Sequence, residues 1–170
     1  MDIDECKAWV GCLACYNDGR LIGDWIDVED LEDWKIPDGH DKKYALDGCP
    51  HEEWVTFDTD GISSGEVAPG QFYEKWLSYK EACDSTGMDL DTVVAIVDNG
   101  IVTEPGEIED AGPFTLFENE SDYEIAIHLA NEYGIYEQID HTLINYFDEQ
   151  HWMRDTFSIY RISGGTLVTA

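Results

Sequence analysis

Acidic residues run through this sequence from end to end without breaking its apolar periodicity. Residues 1–66 carry 18 acidic and 5 basic side chains, residues 67–113 carry 10 and 2, and residues 114–170 carry 10 and 2. An acidic tail would hold its charge in one block, whereas here every stretch with a folding pattern is also negative. The formal net charge is −29 over 170 residues, and self-repulsion on that scale opposes compactness. The chain can therefore fold only by packing its apolar residues and leaving the carboxylates in water. With 43% hydrophobic residues, six of them Trp, it has the material for a core and is not a disordered acidic segment.

A surface of this kind excludes nucleic acid and anionic membranes as direct ligands and suits a basic partner. Duplex DNA carries one charge per ~1.7 Å of axis, so this chain has the charge of roughly 50 Å of duplex, and a dimer that of about 100 Å. Two plainer readings fit the same composition: a halophilic protein, and an ordinary acidic cytosolic one. A halophilic protein unfolds at low salt, whereas a protein that imitates DNA stays folded there and loses its partner as salt rises.

Five Cys and an acidic opening, Met1-Asp2-Ile3-Asp4-Glu5, read as free thiols in a reducing cytoplasm with no secretory signal. Cys12 and Cys15 form a C-x-x-C with no second pair to complete four zinc ligands, and on a strand they would face opposite sides. Asp58-Thr59-Asp60-Gly61 fails the calcium-loop pattern, because Gly61 at the sixth position puts Thr56 first and Val67 last. No run of 18 apolar residues is present to span a membrane. The sequence thus calls for no metal or other cofactor. It also lacks H-E-x-x-H and a Gly-rich phosphate loop.

In chain order, two apolar runs flanking Asn17-Asp18-Gly19 predict an antiparallel hairpin across Cys12 to Asp27, with Gly23 leaving room for a neighbour to pack close. Glu29 to Trp34 predicts a short acidic helix with Leu31 and Trp34 inward, stopped by Pro37-Asp38-Gly39. Lys42-Lys43 form a basic pair in the loop that follows, and Trp54 to Phe57 predicts a third strand. These elements compose an N-terminal α/β module over residues 1–66.

The period then changes. Phe72, Trp76, Tyr79 and Cys83 predict one face of a helix opened near Pro69 and ended by Gly87, and Leu90, Val93, Val94 and Val97 predict a second, from Asp89 to Asn99-Gly100. They form a helical middle module over 67–113.

The last module, 114–170, opens on a strand over Phe114 to Phe117. Ser121-x-x-Glu124 caps a helix running through Tyr133, with Ile125, Leu129 and Tyr133 inward. His128 stands alone, a core or surface histidine. Asp148 is suited to cap a short helix that carries Arg154, a cation best read as an internal salt-bridge partner. Phe157 to Ile162 and a strand through Val168 then close a hairpin about Gly164-Gly165. The fold class is α+β: a β-hairpin with helix, a helical middle, then helices with an antiparallel hairpin.

Two places in the sequence resemble the ArdA-type antirestriction proteins. Near the N-terminus the matching residues are Leu13, Tyr16, Asn17, Gly19, Leu21, Gly23, Trp25 and Asp27, and Phe57-Asp58-Thr59-Asp60-Gly61 is similar to an aromatic-acidic-Gly turn of that family. Near the C-terminus they are Tyr146, Phe147, Asp148, Trp152, Arg154 and Asp155, with Thr156 standing where an apolar residue is usual. The resemblance implies an elongated protein of three small modules, dimerising through the last. Phages and mobile elements use such proteins in the bacterial host cytoplasm to block Type I restriction–modification enzymes by imitating DNA.

The expected function is accordingly stoichiometric inhibition, with no catalytic residue and no cofactor. The partner is the basic DNA groove of a Type I complex. The acidic surface expected to meet it comprises Asp24, Asp27, Glu29, Asp30, Glu32 and Asp33 in the first module. In the middle module it comprises Glu74, Glu81, Asp84, Asp91, Asp98, Glu107, Glu109 and Asp110, and in the last Glu120, Glu124 and Glu132. The Tyr146 to Asp155 motif is expected to be structural or to form the dimer contact. Two alternatives stay open: an acidic module for another basic DNA-dependent defence protein, and a carboxylate-based hydrolase, which requires a buried carboxyl of raised pKa in a pocket.

Overall fold

Ala8, Val10 and Cys12 alternate inward along β1 (Lys7–Cys12), the central strand of an antiparallel sheet ordered β2-β1-β3 with β2 (Gly23–Asp27) and β3 (Trp54–Asp60). The computed structural model describes residues 2–35, 52–162 and 164–170. Pro37-Asp38-Gly39, Lys42-Lys43 and Ser163 lie outside the described residues.

The expected N-terminal pairing is present, but its connection is not a tight hairpin. A helical turn, α1 (Leu13–Asn17), stands where the first strand was expected to continue. Its geometry buries Cys15 and turns Tyr16 outward, where its ring stacks on Phe57 at 4.1 Å between centroids. Backbone N–H groups of Gly19 and Arg20 then donate to the carbonyls of Tyr16 and Cys15, closing the turn with Gly19 at a φ of +77°. Cys12, at the end of β1, and Cys15, on α1, are both buried, so the two are not on opposite faces of one strand as expected. The expected acidic helix is a single 3₁₀ turn, Val28–Leu31, which buries Leu31 and leaves Trp34 half-buried against Trp54.

α2 (Pro69–Thr86) and α3 (Leu90–Asp98) have the expected ends, including Gly87 in the left-handed conformation and Asp89 as N-cap. Phe72, Trp76 and Tyr79 are buried as expected, but Ala82 takes the next inward place and Cys83 is only half-buried. In α3 the buried apolar residues are Leu90, Val93, Ala95 and Ile96, while Val94 and Val97 lie at the flank of the stripe. A 3₁₀ turn, Pro105–Glu107, leads into the short α4 (Ile108–Ala111), whose Ile108 is buried.

The C-terminal sheet is ordered β4-β6-β5, from β4 (Phe114–Phe117), β5 (Ser158–Ile162) and β6 (Gly165–Thr169), all antiparallel. α5 (Asp122–Glu132) and α7 (Glu149–Thr156) pack together, with α6 (Ile135–Gln138) and a 3₁₀ turn, Ile144–Tyr146, between them. Tyr133 does not point inward: it caps α5 and is exposed, its ring edge-on to Phe157 at 5.1 Å.

Two apolar clusters hold the described chain together. The larger runs from β1 and β3 through α2, α3 and Ile108 to Leu167 on β6. The smaller joins Phe117, Ile125, Leu129, Met153 and Phe157 to Val168. Leu167 and Val168 are consecutive and so point to opposite faces of their strand, which makes β6 a wall shared by both clusters. A single-helix membrane span is absent among the described residues.

Candidate acidic interaction surface

Among the described residues no Asp or Glu is buried; the buried polar side chains are Thr56, Thr92, Thr166 and Thr169. Of the acidic residues expected at the surface, Asp24 on β2 is half-buried and the other sixteen are exposed. Their environments sort them further.

Several are engaged within the chain. Asp27 pairs with Lys7 across the β1–β2 ladder at 3.0 Å. Glu29 lies 3.4 Å from Lys80, whose ammonium also meets Asp4 and sits 4.8 Å from the ring centroid of Trp76. The hydrogen bond to Asp4, opposed by desolvation and helped by Glu29, raises the Lys80 pKa. Glu32 accepts the Tyr73 hydroxyl; partial desolvation and this carboxylate together raise the pKa of that phenol. Glu107 accepts the backbone N–H groups of Thr103 at 2.8 Å and Glu104 at 3.2 Å. Glu124 accepts the Ser121 N–H at 2.8 Å and hydroxyl at 2.7 Å, completing the expected capping box. Glu132 stands 3.9 Å from His128, which is exposed and edge-on to Phe117.

Asp30, Asp33, Glu74, Glu81, Asp84, Asp98, Glu109, Asp110 and Glu120 are exposed and have no cation of this chain on them among the described residues. Asp91, on the outer side of α3, is exposed as well. The nine without a cation remain available to an external basic group.

The carboxylates whose pKa moves lie low. Asp89 is partly desolvated, which raises it, but the Thr92 hydroxyl at 2.8 Å and backbone N–H at 3.0 Å outweigh this and lower it. Backbone and hydroxyl donors from Ser121 lower Glu124, and those from Thr142 lower Asp140. A general acid needs the opposite displacement. Groups of three or more potential metal ligands are absent among the described residues.

In the C-terminal motif Asp148 caps α7 by accepting the His151 N–H at 2.9 Å. Trp152 is half-buried against Phe147 and Phe157. Arg154 is not the internal salt-bridge partner expected: it is exposed in the last turn of α7, and the ion pairs of the described residues do not include it. Asp155 is exposed, 3.2 Å from His151 one helical turn back. Tyr146 is 85% exposed and, with Leu143, Ile135, Ile139 and Phe147, lines an open apolar groove of about 440 Å³.

A second groove of about 440 Å³ lies on the outer face of the N-terminal sheet, lined by Trp9, Tyr16, Leu21, Trp25, Phe57 and Asp58. Tyr16, Leu21, Trp25, Phe57 and Asp58 are among the residues that carry the family resemblance, but charge and periodicity did not bring them together, and Trp9 was missed; the signal available for it was the pair Gly11 and Gly23.

No curated protein matches the chain in sequence. The model of the antirestriction protein family ArdA matches residues 8–167, taking in both sheets, the helices between them and both motifs. A match over that extent implies an antirestriction function: the chain belongs to the ArdA antirestriction protein family.

Proposed function

We propose that the protein inhibits a Type I restriction–modification complex stoichiometrically, its exposed carboxylates occupying the groove that binds DNA phosphates. The observation that carries this is the placement of the acids: among the described residues each lies at the surface, none in the core, and those with a moved pKa are held low, hence ionised. A groove built from Lys and Arg to hold phosphates attracts a fixed array of carboxylates by the same Coulomb forces. The three-module division at 66/67 and 113/114 and the elongated shape belong to the same reading.

The inhibitor acts as a homodimer joined through the C-terminal module. What supports this is the apolar groove holding Leu143, 56% exposed, and Tyr146 within a strongly anionic molecule, since apolar surface of that kind gains most by being covered by a like surface. Dimerisation doubles the anionic track.

Mixing a Type I enzyme with increasing protein at low salt and measuring DNA binding tests the reading. Loss of DNA binding at about one inhibitor dimer per groove, reversed by salt, is expected. Undiminished DNA binding at excess inhibitor overturns it, and inhibition of a different DNA-dependent defence enzyme alone would move the target to that protein.

A further inference from the structure

On the outer face of the N-terminal sheet, Trp25, Trp9 and Asp58 stand side by side on three adjacent strands, because Trp9 pairs with Trp25 on one side and with Asp58 on the other. The register of β1 with β3 then slips: Trp9 is opposite Asp58, but Val10 is opposite Thr56. Phe57 is the extra residue, and a bulge of this kind re-aims side chains. Here it puts Phe57 beside Trp9 at 5.5 Å between ring centroids and under Tyr16 at 4.1 Å, so four aromatic rings and one carboxylate border a single groove.

The backbone beneath is shaped to fit. A Cβ on Gly11 would lie 2.6 Å from the Trp9 ring, and one on Gly23 would lie 2.8 Å from it, so the indole lies flat across two glycines on adjacent strands. The same ring lines the groove. Leu21 at 73% exposure, Trp25 at 51% and Tyr16 at 42% leave the rim open to water. Core packing does not account for aromatic rings assembled this way and left uncovered.

Charge decides what fits. Asp58 is exposed, its Oδ1 accepts the N–H of Thr59 at 2.9 Å, and no cation of this chain pairs with it among the described residues. Ring faces carry negative potential, and the whole molecule is at −29. The occupant is therefore a cation. Between the two common ones, a guanidinium is planar, weakly hydrated and forked, so it can stack on flat rings while donating to a carboxylate at the edge, whereas an ammonium keeps its water.

We propose that this groove binds an arginine side chain presented by the basic partner protein, giving the inhibitor one directional contact in addition to its diffuse charge. The proposed inhibition supplies only the source of the arginine; the groove's chemistry stands on the geometry above.

The test is a titration of isotope-labelled protein with the capped tripeptide Gly-Arg-Gly at moderate salt, following the indole N–H resonances of Trp9 and Trp25. Saturable shifts of both are expected, absent with the neutral citrulline peptide and at least several-fold weaker with the lysine peptide. Trp25→Ala and Asp58→Asn should each weaken the arginine peptide about tenfold with the circular dichroism unchanged, while Glu81→Gln on α2 leaves it as it was. Equal losses from Asp58→Asn and Glu81→Gln, or shifts spread evenly over the surface, would reduce the groove to diffuse charge and overturn the proposal. So would a concentration-dependent dimer that Trp25→Ala abolishes, since the groove would then be covered by a second copy. No restriction enzyme is present in the titration, so a failed cage leaves inhibition standing, and failed inhibition leaves a positive titration standing.

Discussion

The indole of Trp9 lies over Gly23 of the neighbouring strand, so close that a Cβ at Gly23 would meet the ring at 2.8 Å and the Val10 carbonyl oxygen at 2.5 Å. Backbone cannot yield at that distance as a flexible side-chain end can. Gly23→Ala should therefore destabilise the protein by about 1–3 kcal/mol, the usual cost of overpacking, read as a lowered urea midpoint with an unchanged slope. A midpoint equal to that of the unaltered protein would mean that the sheet is laxer than described.

Lys80 ties three separate segments together, through Asp4, Glu29 and the face of Trp76, whose indole N–H donates to the Ile3 carbonyl at 2.9 Å. Lys80→Gln removes the charge that balances two carboxylates and should cost about 1 kcal/mol, more at low salt than at high. Amide exchange in residues 3–6 should quicken more than in β3.

Asp89 caps α3, and Asp89→Ala should cost about 1 kcal/mol at neutral pH in thermal or urea unfolding. Because the folded carboxyl titrates below its unfolded value, its stabilisation is complete above about pH 4 and is lost as pH falls through the folded pKa. The difference between the variant and the unaltered protein should shrink below that pH.

Tyr136 donates its hydroxyl to Glu149 at 2.9 Å, linking α6 to α7; burial first, then this carboxylate, push its pKa up to about 12. An unfolded tyrosine ionises near pH 10, so the contribution is intact below about pH 10 and is lost as pH rises towards the folded value. Ultraviolet titration should show a late-ionising phenol that Tyr136→Phe removes.

Neutralising Asp30, Asp33, Glu74, Glu81, Asp84 and Asp98 together should weaken partner binding about tenfold or more, and each alone by less than about threefold. Exposed ion pairs are worth only fractions of a kcal/mol apiece and are felt as a sum. Competition with labelled DNA for the partner measures both.

By itself the sequence determined the helix limits at Pro69, Gly87, Asp89, Ser121 and Asp148, because caps and terminators act over three or four residues of chain. It also determined that the acids face water, since no core of this size could hold them unpaired. Tertiary structure decided what depends on partners distant along the chain. Cys15 enters the core through a helical turn instead of a strand, and Leu167 and Val168 feed two different clusters. A one-residue slip between β1 and β3 turns Phe57 outward beside Trp9. Local pattern gives an element its period, but only the packed neighbours fix its register, and the aromatic groove is a consequence of register.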